Sequence, residues 1–139
     1  MGNENTTVKL KIAKTSSGHN SILRRDLPAE MEEEVQQVRL DDFLKLSKVD
    51  FVKIDIEGYE YFALRGMENL IKNNRLWLFI EFSPKFMGNE LTQKLYEFLK
   101  YHFDKPFVAY KKKISQMDWK KALKIAVDKG QVNMFLQRY

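Results

Sequence analysis

Residues 53–60 read Lys-Ile-Asp-Ile-Glu-Gly-Tyr-Glu, and no other stretch limits the fold as tightly. An apolar run over residues 49–56 contains Asp55 and is followed by Glu57. Gly58 then permits a turn, and helical periodicity follows. Strand, tight turn and helix in that order form the building unit of an α/β layered sheet. Ligands of open α/β sheets bind just beyond the carboxyl ends of the strands. Asp55 and Glu57 stand at such a point.

The rest of the chain extends this pattern. Residues 49–56 carry apolar side chains on both faces, which predicts a strand covered on two sides. One helix is expected over 59–72, with Ala63, Leu64, Met67, Leu70 and Ile71 on one stripe and Asn73-Asn74 closing it. Residues 76–82 predict a second buried strand, stopped by Ser83-Pro84. An amphipathic helix is expected over 90–101, with His102 at its end, and a short strand over 107–110. Residues 115–118 read as the start of a third helix. Trp119, Ala122, Leu123, Ala126 and Val127 form its apolar face, and Gly130 suits its C-terminal cap. Residues 132–137 give the last strand. Trp77, Phe79, Phe82, Tyr96, Phe98 and Trp119 all fall on stripes expected to face the core.

Upstream, residues 7–13 alternate Val8, Leu10 and Ile12 against Lys9 and Lys11, the mark of a half-buried strand. Residues 14–21 read as a polar loop. An irregular, exposed connection continues through the acidic run 30–34, and a second short strand is expected over 35–40. Asp41-Asp42 are placed to cap a helical turn over 43–47.

At 139 residues the chain reads as one domain, long enough to bury a core. No apolar run approaches the roughly 18 residues of a membrane span. Cysteine is absent, which removes disulfides and thiolate metal sites and fits the cytoplasm. The net charge of +5 comes from scattered clusters: Arg24-Arg25, Lys111 to Lys113, and Lys120-Lys121 with Lys124. No glycine-aromatic stacking motif accompanies them, so nucleic acid is not the expected partner.

Several side chains are candidates for chemistry. Asp55 and Glu57 are two apart and share a face if the strand runs through both. They can orient a hydroxyl, accept its proton or hold a divalent ion. They can equally bond the free N–H groups of the following helix. Glu81 ends the next strand inside an apolar run, a placement that calls for a partner or a ligand. Glu60 falls in the first turn of its helix, and with Glu81 it is a candidate for substrate binding. His19, in a Ser/Gly/Asn loop, titrates in the range of a general base, or is simply an exposed loop residue. No histidine is spaced with carboxylates as in a metal centre, so none is expected. No phosphate loop or nucleophile elbow is present.

One combination of residues resembles a known family. It comprises Leu40-Asp41-Asp42-Phe43-Leu44, then residues 49–60, then Leu64-Arg65-Gly66-Met67, then Ile80-Glu81-Phe82 and Asn133-Met134-Phe135. Ser16-Ser17-Gly18 and Asn20-Ser21-Ile22 belong to the same likeness. Together they resemble the C-terminal portion of the FkbM-type S-adenosylmethionine-dependent methyltransferases. The resemblance implies a partial Rossmann-like methyltransferase fold, α/β, with a mixed sheet and flanking helices. Residues 53–60 would then end the fourth strand of the family's seven-stranded sheet.

The resemblance also implies O-methyl transfer to a sugar or other small hydroxylated acceptor. Asp55 and Glu57 would serve the cofactor and catalysis together with His19, and Glu81 and Glu60 would serve the acceptor. The family's upstream glycine-rich cofactor turn has no counterpart, since none of the six glycines stands in a G-x-G context after a strand. The expectation is therefore one domain truncated on its N-terminal side, with 1–48 as a lead-in and 49–139 as the α/β C-terminal half. A homo-dimer or a partner chain supplying the cofactor half is expected. The alternative is a non-catalytic binding or assembly module.

Overall fold

The structure, a computed structural model, describes residues 1–13, 20–22, 29–45 and 48–139. His19, the Ser16-Ser17-Gly18 segment and most of the predicted 14–21 loop lie outside the described residues.

Two sheets are present. The first is an antiparallel ribbon of β1 (Thr6–Ala13) and β2 (Ala29–Gln37). β2 takes in the acidic run that the sequence places in an irregular connection. The reason is non-local: Glu34 lies opposite Lys9 and Glu32 opposite Lys11, and the Lys9 ammonium reaches Glu32 at 3.6 Å. Cross-strand charge pairing of this kind offsets the low strand propensity of glutamate.

The ribbon leads into α1 (Leu40–Phe43), a single turn ending earlier than the predicted 43–47. Asp41 and Asp42 do not cap it. Asp41 instead accepts the backbone N–H groups of Asn69 and Leu70, at 3.0 and 2.9 Å, at the start of α3 (Glu68–Asn73). It thus caps a helix distant in sequence.

The main sheet has the order β3-β4-β7-β5-β6. β3 (Phe51–Ile54) pairs parallel with β4 (Leu76–Phe82) through α2 (Glu60–Arg65) and α3. The single helix expected over 59–72 is broken between these two. A Cβ on Gly66 would sit 1.8 Å from the Gly2 carbonyl oxygen, so the N-terminus is packed directly against the break.

β4 then pairs antiparallel with β7 (Val132–Arg138), which pairs with β5 (Phe107–Tyr110). α4 (Pro84–His102) starts earlier than predicted, with Pro84 in its first turn and a kink at Gly88. Residues 115–118 do not begin a helix. They fall in and after β6 (Lys113–Gln116), and α5 (Trp119–Lys129) starts behind the Asp118 cap and ends at left-handed Gly130.

The alternation along β4 and β7 puts Leu76, Leu78, Ile80, Phe82, Met134 and Leu136 in the core. The helices cover that face, with Leu64, Ile71, Leu95, Leu99, Ala122 and Ala126 packed into the same cluster. Of the predicted core aromatics, Phe82, Tyr96 and Phe98 are buried, while Phe79 and Trp119 are half-buried.

The opposite face is open, contrary to the expectation of a strand covered twice. Phe51 is 57% exposed and Trp77 38%. Trp77 leans on Phe107, and Phe79 meets Phe135 edge-on at 4.9 Å. Among the described residues the helices cover one side of this aromatic sheet and the other stays partly exposed, with Phe79, Phe107 and Phe135 half-buried. The ribbon forms its own sheet and does not pair with β3, which among the described residues is an edge strand. The whole is a mixed α/β arrangement consistent with part of a Rossmann-like methyltransferase fold.

Candidate functional site

Register assembles the site. Ile54 lies opposite Ile80 in the parallel pair, so Asp55 emerges from β3 beside Glu81 on β4. Glu57 follows after Ile56. One carboxylate oxygen from each of Asp55, Glu57 and Glu81 lies within 4.8 Å of the other two. The sequence names all three carboxylates but not their convergence, which depends on the pairing of two strands more than twenty residues apart.

Glu57 and Gly58 both have left-handed backbone, with φ of 56° and 101°. Glycine adopts this freely, but it is uncommon for glutamate. The turn therefore sends Glu57 out of strand geometry. Ser21, at the root of the ribbon, donates from its hydroxyl to the Glu57 carbonyl at 3.1 Å.

The electrostatics are those of crowded carboxylates. Partial burial pushes the Glu81 carboxyl up, and the charges of Asp55 and then Glu57 add to that rise. Gln131 donates to Glu81 at 2.6 Å, and the Lys53 ammonium stands 3.6 Å from Asp55. The cluster attracts positive charge, and its spacing can ligate a divalent cation, a use the sequence gives no histidine pattern for.

Glu60 is in a different position. It is fully buried, and its Oε1 accepts the N–H groups of Ile56 at 3.3 Å and Gly58 at 3.1 Å. Burial pushes its carboxyl up to about 7. Its role is inside the turn, away from any solvent-borne ligand. His102 is also buried, with Nε2 3.5 Å from Glu68, remote in the fold from the carboxylates.

A cavity of about 370 Å³ opens between the ribbon and the end of β3, lined by Leu10, Ser21, Ile22, Asp55, Glu57 and Tyr59 among others. Its far wall is held by Tyr59, whose hydroxyl donates to the Gln37 side-chain oxygen at 2.6 Å. A mixed apolar and carboxylate lining at the carboxyl end of a strand is the arrangement of a small-molecule site.

A family profile described as the methyltransferase FkbM domain matches residues 2–106. The chain belongs to this family. No curated protein and no solved structure matches it. The FkbM match takes in the ribbon, α1, the carboxylate turn and β4, so the site lies wholly within it. It ends before β5.

The FkbM family implies S-adenosylmethionine as methyl donor. The three carboxylates suit the cationic, hydroxyl-bearing end of such a molecule. Among the described residues no strand runs into a glycine-rich turn that would cradle the rest of it. The fit is therefore to one end of the cofactor. No helix of the described residues is long and apolar enough to cross a membrane.

Proposed function

We propose that this chain carries the acceptor side of an S-adenosylmethionine-dependent O-methyltransferase acting on a small hydroxylated molecule, such as a sugar. The observation that carries the reading is the convergence of Asp55, Glu57 and Glu81 at the end of β3, where Asp55 and Glu57 also line the cavity. S-adenosylmethionine, when bound, supplies the electrophilic methyl group. Asp55 and Glu57 would face both the cationic end of the donor and the acceptor hydroxyl, and one of them would take the hydroxyl proton as S-adenosylhomocysteine leaves. Glu81, its affinity for a proton raised by partial burial and then by its neighbours, fixes a second hydroxyl. The apolar cavity wall excludes water and aligns the acceptor, which is where most of the rate gain in such a displacement arises. A cysteine-free chain is compatible with work in the cytoplasm.

Calorimetric titration with S-adenosylmethionine and S-adenosylhomocysteine tests the reading. Saturable binding that falls at least about tenfold in Asp55→Asn or Glu57→Gln is expected, the loss of one or more charge-assisted hydrogen bonds. Absence of binding at millimolar ligand would overturn it for the chain alone.

A second reading, assembly, is favoured by the bare edge and face of β3. An unpaired strand edge is a template for another strand. We propose a second copy as the occupant. Antiparallel pairing about Val52 sets Phe51 of each copy opposite Lys53 of the other on the open face, a reciprocal cation–π contact. Sedimentation equilibrium should show a dimer that dissociates in Val52→Pro. A chain that stays monomeric at millimolar concentration rules the second copy out, and leaves a chain bearing a glycine-rich turn as the candidate occupant.

A further inference from the structure

The turn that projects Glu57 contains two successive left-handed residues, and such a turn needs a restraint. L-residues enter that region only against a steric clash of Cβ with the following carbonyl oxygen. Glu60 restrains it from the first turn of α2: its Oε1 gathers the N–H groups of Ile56 and Gly58, beside the Tyr59 N–H donated to the Ile56 carbonyl at 3.3 Å, and its Oε2 is buried without a hydrogen-bond partner. Glu60 has 0% exposure, so it cannot touch a ligand entering the cavity. What it can do is fix the direction in which the chain leaves β3. Two backbone N–H groups converging on one carboxylate oxygen hold the Asp55–Ile56 and Glu57–Gly58 peptide planes, and the Tyr59 N–H holds the plane between them through the Ile56 carbonyl. A residue whose flanking planes are held has one exit vector for its side chain. Here that vector brings Glu57 to Asp55 and Glu81.

We propose that Glu60 is a positioning residue for the carboxylate site, strapping the 56–59 turn from beneath so that Glu57 meets Asp55 and Glu81. This rests on the reading of those three carboxylates as a methyl-transfer site that meets both acceptor and cofactor, and the test separates the two. The glutamine variant retains a carbonyl oxygen at the same reach and can accept both N–H groups. The alanine variant cannot, and it leaves two buried donors unpaired.

The full chain is compared as wild type, Glu60→Gln and Glu60→Ala by amide hydrogen exchange in NMR and by S-adenosylhomocysteine titration. In the wild type the Ile56 and Gly58 amides exchange slowly. Glu60→Gln keeps their protection within about tenfold and the ligand affinity within about threefold. Glu60→Ala loses about a hundredfold in protection at those two amides, with β4 and β7 amides unchanged, and at least about tenfold in affinity. Should Glu60→Ala fail to fold, Glu60→Asp, one methylene short of spanning both donors, replaces it. Unchanged protection in the shortened variants, or a glutamine variant as impaired as alanine, overturns the strap. Protected amides in a wild type that binds no S-adenosylhomocysteine would sink the methyl-transfer reading while the exchange pattern still decides the role of Glu60.

Discussion

The hydroxyl of Tyr59 donates to the side-chain oxygen of Gln37 across 2.6 Å, and this bond ties the ribbon to the turn that carries Glu57. Gln37 in turn donates to the Glu4 carbonyl at 3.0 Å, and Gly2 donates to the Val38 carbonyl at the same distance. A two-stranded ribbon has little stability of its own. Its position over the cavity therefore depends on a few anchors of this kind. Tyr59→Phe removes one and strands the buried Gln37 oxygen. The expected cost is about 1–3 kcal/mol in urea unfolding, with faster amide exchange along β1.

Gly58→Ala should be markedly worse than Gly88→Ala. Both glycines have left-handed φ, 101° and 73°. A Cβ on Gly58 would stand 3.0 Å from the Phe86 Cβ, whereas one on Gly88 meets nothing within 4 Å. Gly88→Ala then reports the backbone term alone, about 1 kcal/mol, and Gly58→Ala adds the packing strain, for about 2–3 kcal/mol in all. Equal unfolding free energies for the two variants would contradict the close approach.

Stability should fall as pH rises from 4.5 to 7. Burial raises the Glu60 carboxyl from 4.5 to about 7, so the native state holds its proton more tightly than the unfolded chain. The stabilisation is complete below the unfolded value and is lost as pH passes through the folded one. At full effect the shift is worth about 3 kcal/mol. Glu60→Gln removes this dependence. The wild-type minus Glu60→Gln difference, followed by denaturant titration between pH 4 and 8, should slope through that window and flatten above it.

Asp41→Ala should cost about 0.5–2 kcal/mol, the usual range for a helix cap. The effect belongs to α3, not to the α1 turn in which Asp41 sits. Exchange should quicken at Asn69 and Leu70, which lose their acceptor.

The parts of the fold set by local rules are legible in the sequence. β4 has its predicted bounds because a nearly continuous apolar run is stopped by Ser83-Pro84, and α5 ends at Gly130 as a left-handed cap requires. The parts that were not legible depend on distant partners or on unusual turn residues. β6 is hidden because Lys111 and Lys112, with φ of 49° and 61°, form a left-handed two-residue turn that normally draws asparagine and glycine. β2 is hidden because its glutamates look solvated until Lys9 and Lys11 are set opposite them. The break between α2 and α3 coincides with the close approach of the Gly2 carbonyl to Gly66, a contact between residues sixty-odd positions apart. In the site, Asp55, Glu57 and Glu81 were each readable as candidates. The burial of Glu60 was not, since nothing in a first-turn glutamate says that it folds back under its own turn.

The strand order carries a consequence for how this chain is made. β7 follows every other element in sequence, yet it sits in the middle of the main sheet and is the sole bridge between β4 and β5. During synthesis β3 and β4 can pair with their helices, and β5 can close its hairpin with β6, but the two blocks share no ladder until residues 132–138 leave the ribosome. The nascent protein must wait with the flank of β4 and the flank of β5 both unsatisfied, a window in which chaperone capture and misassembly compete with completion.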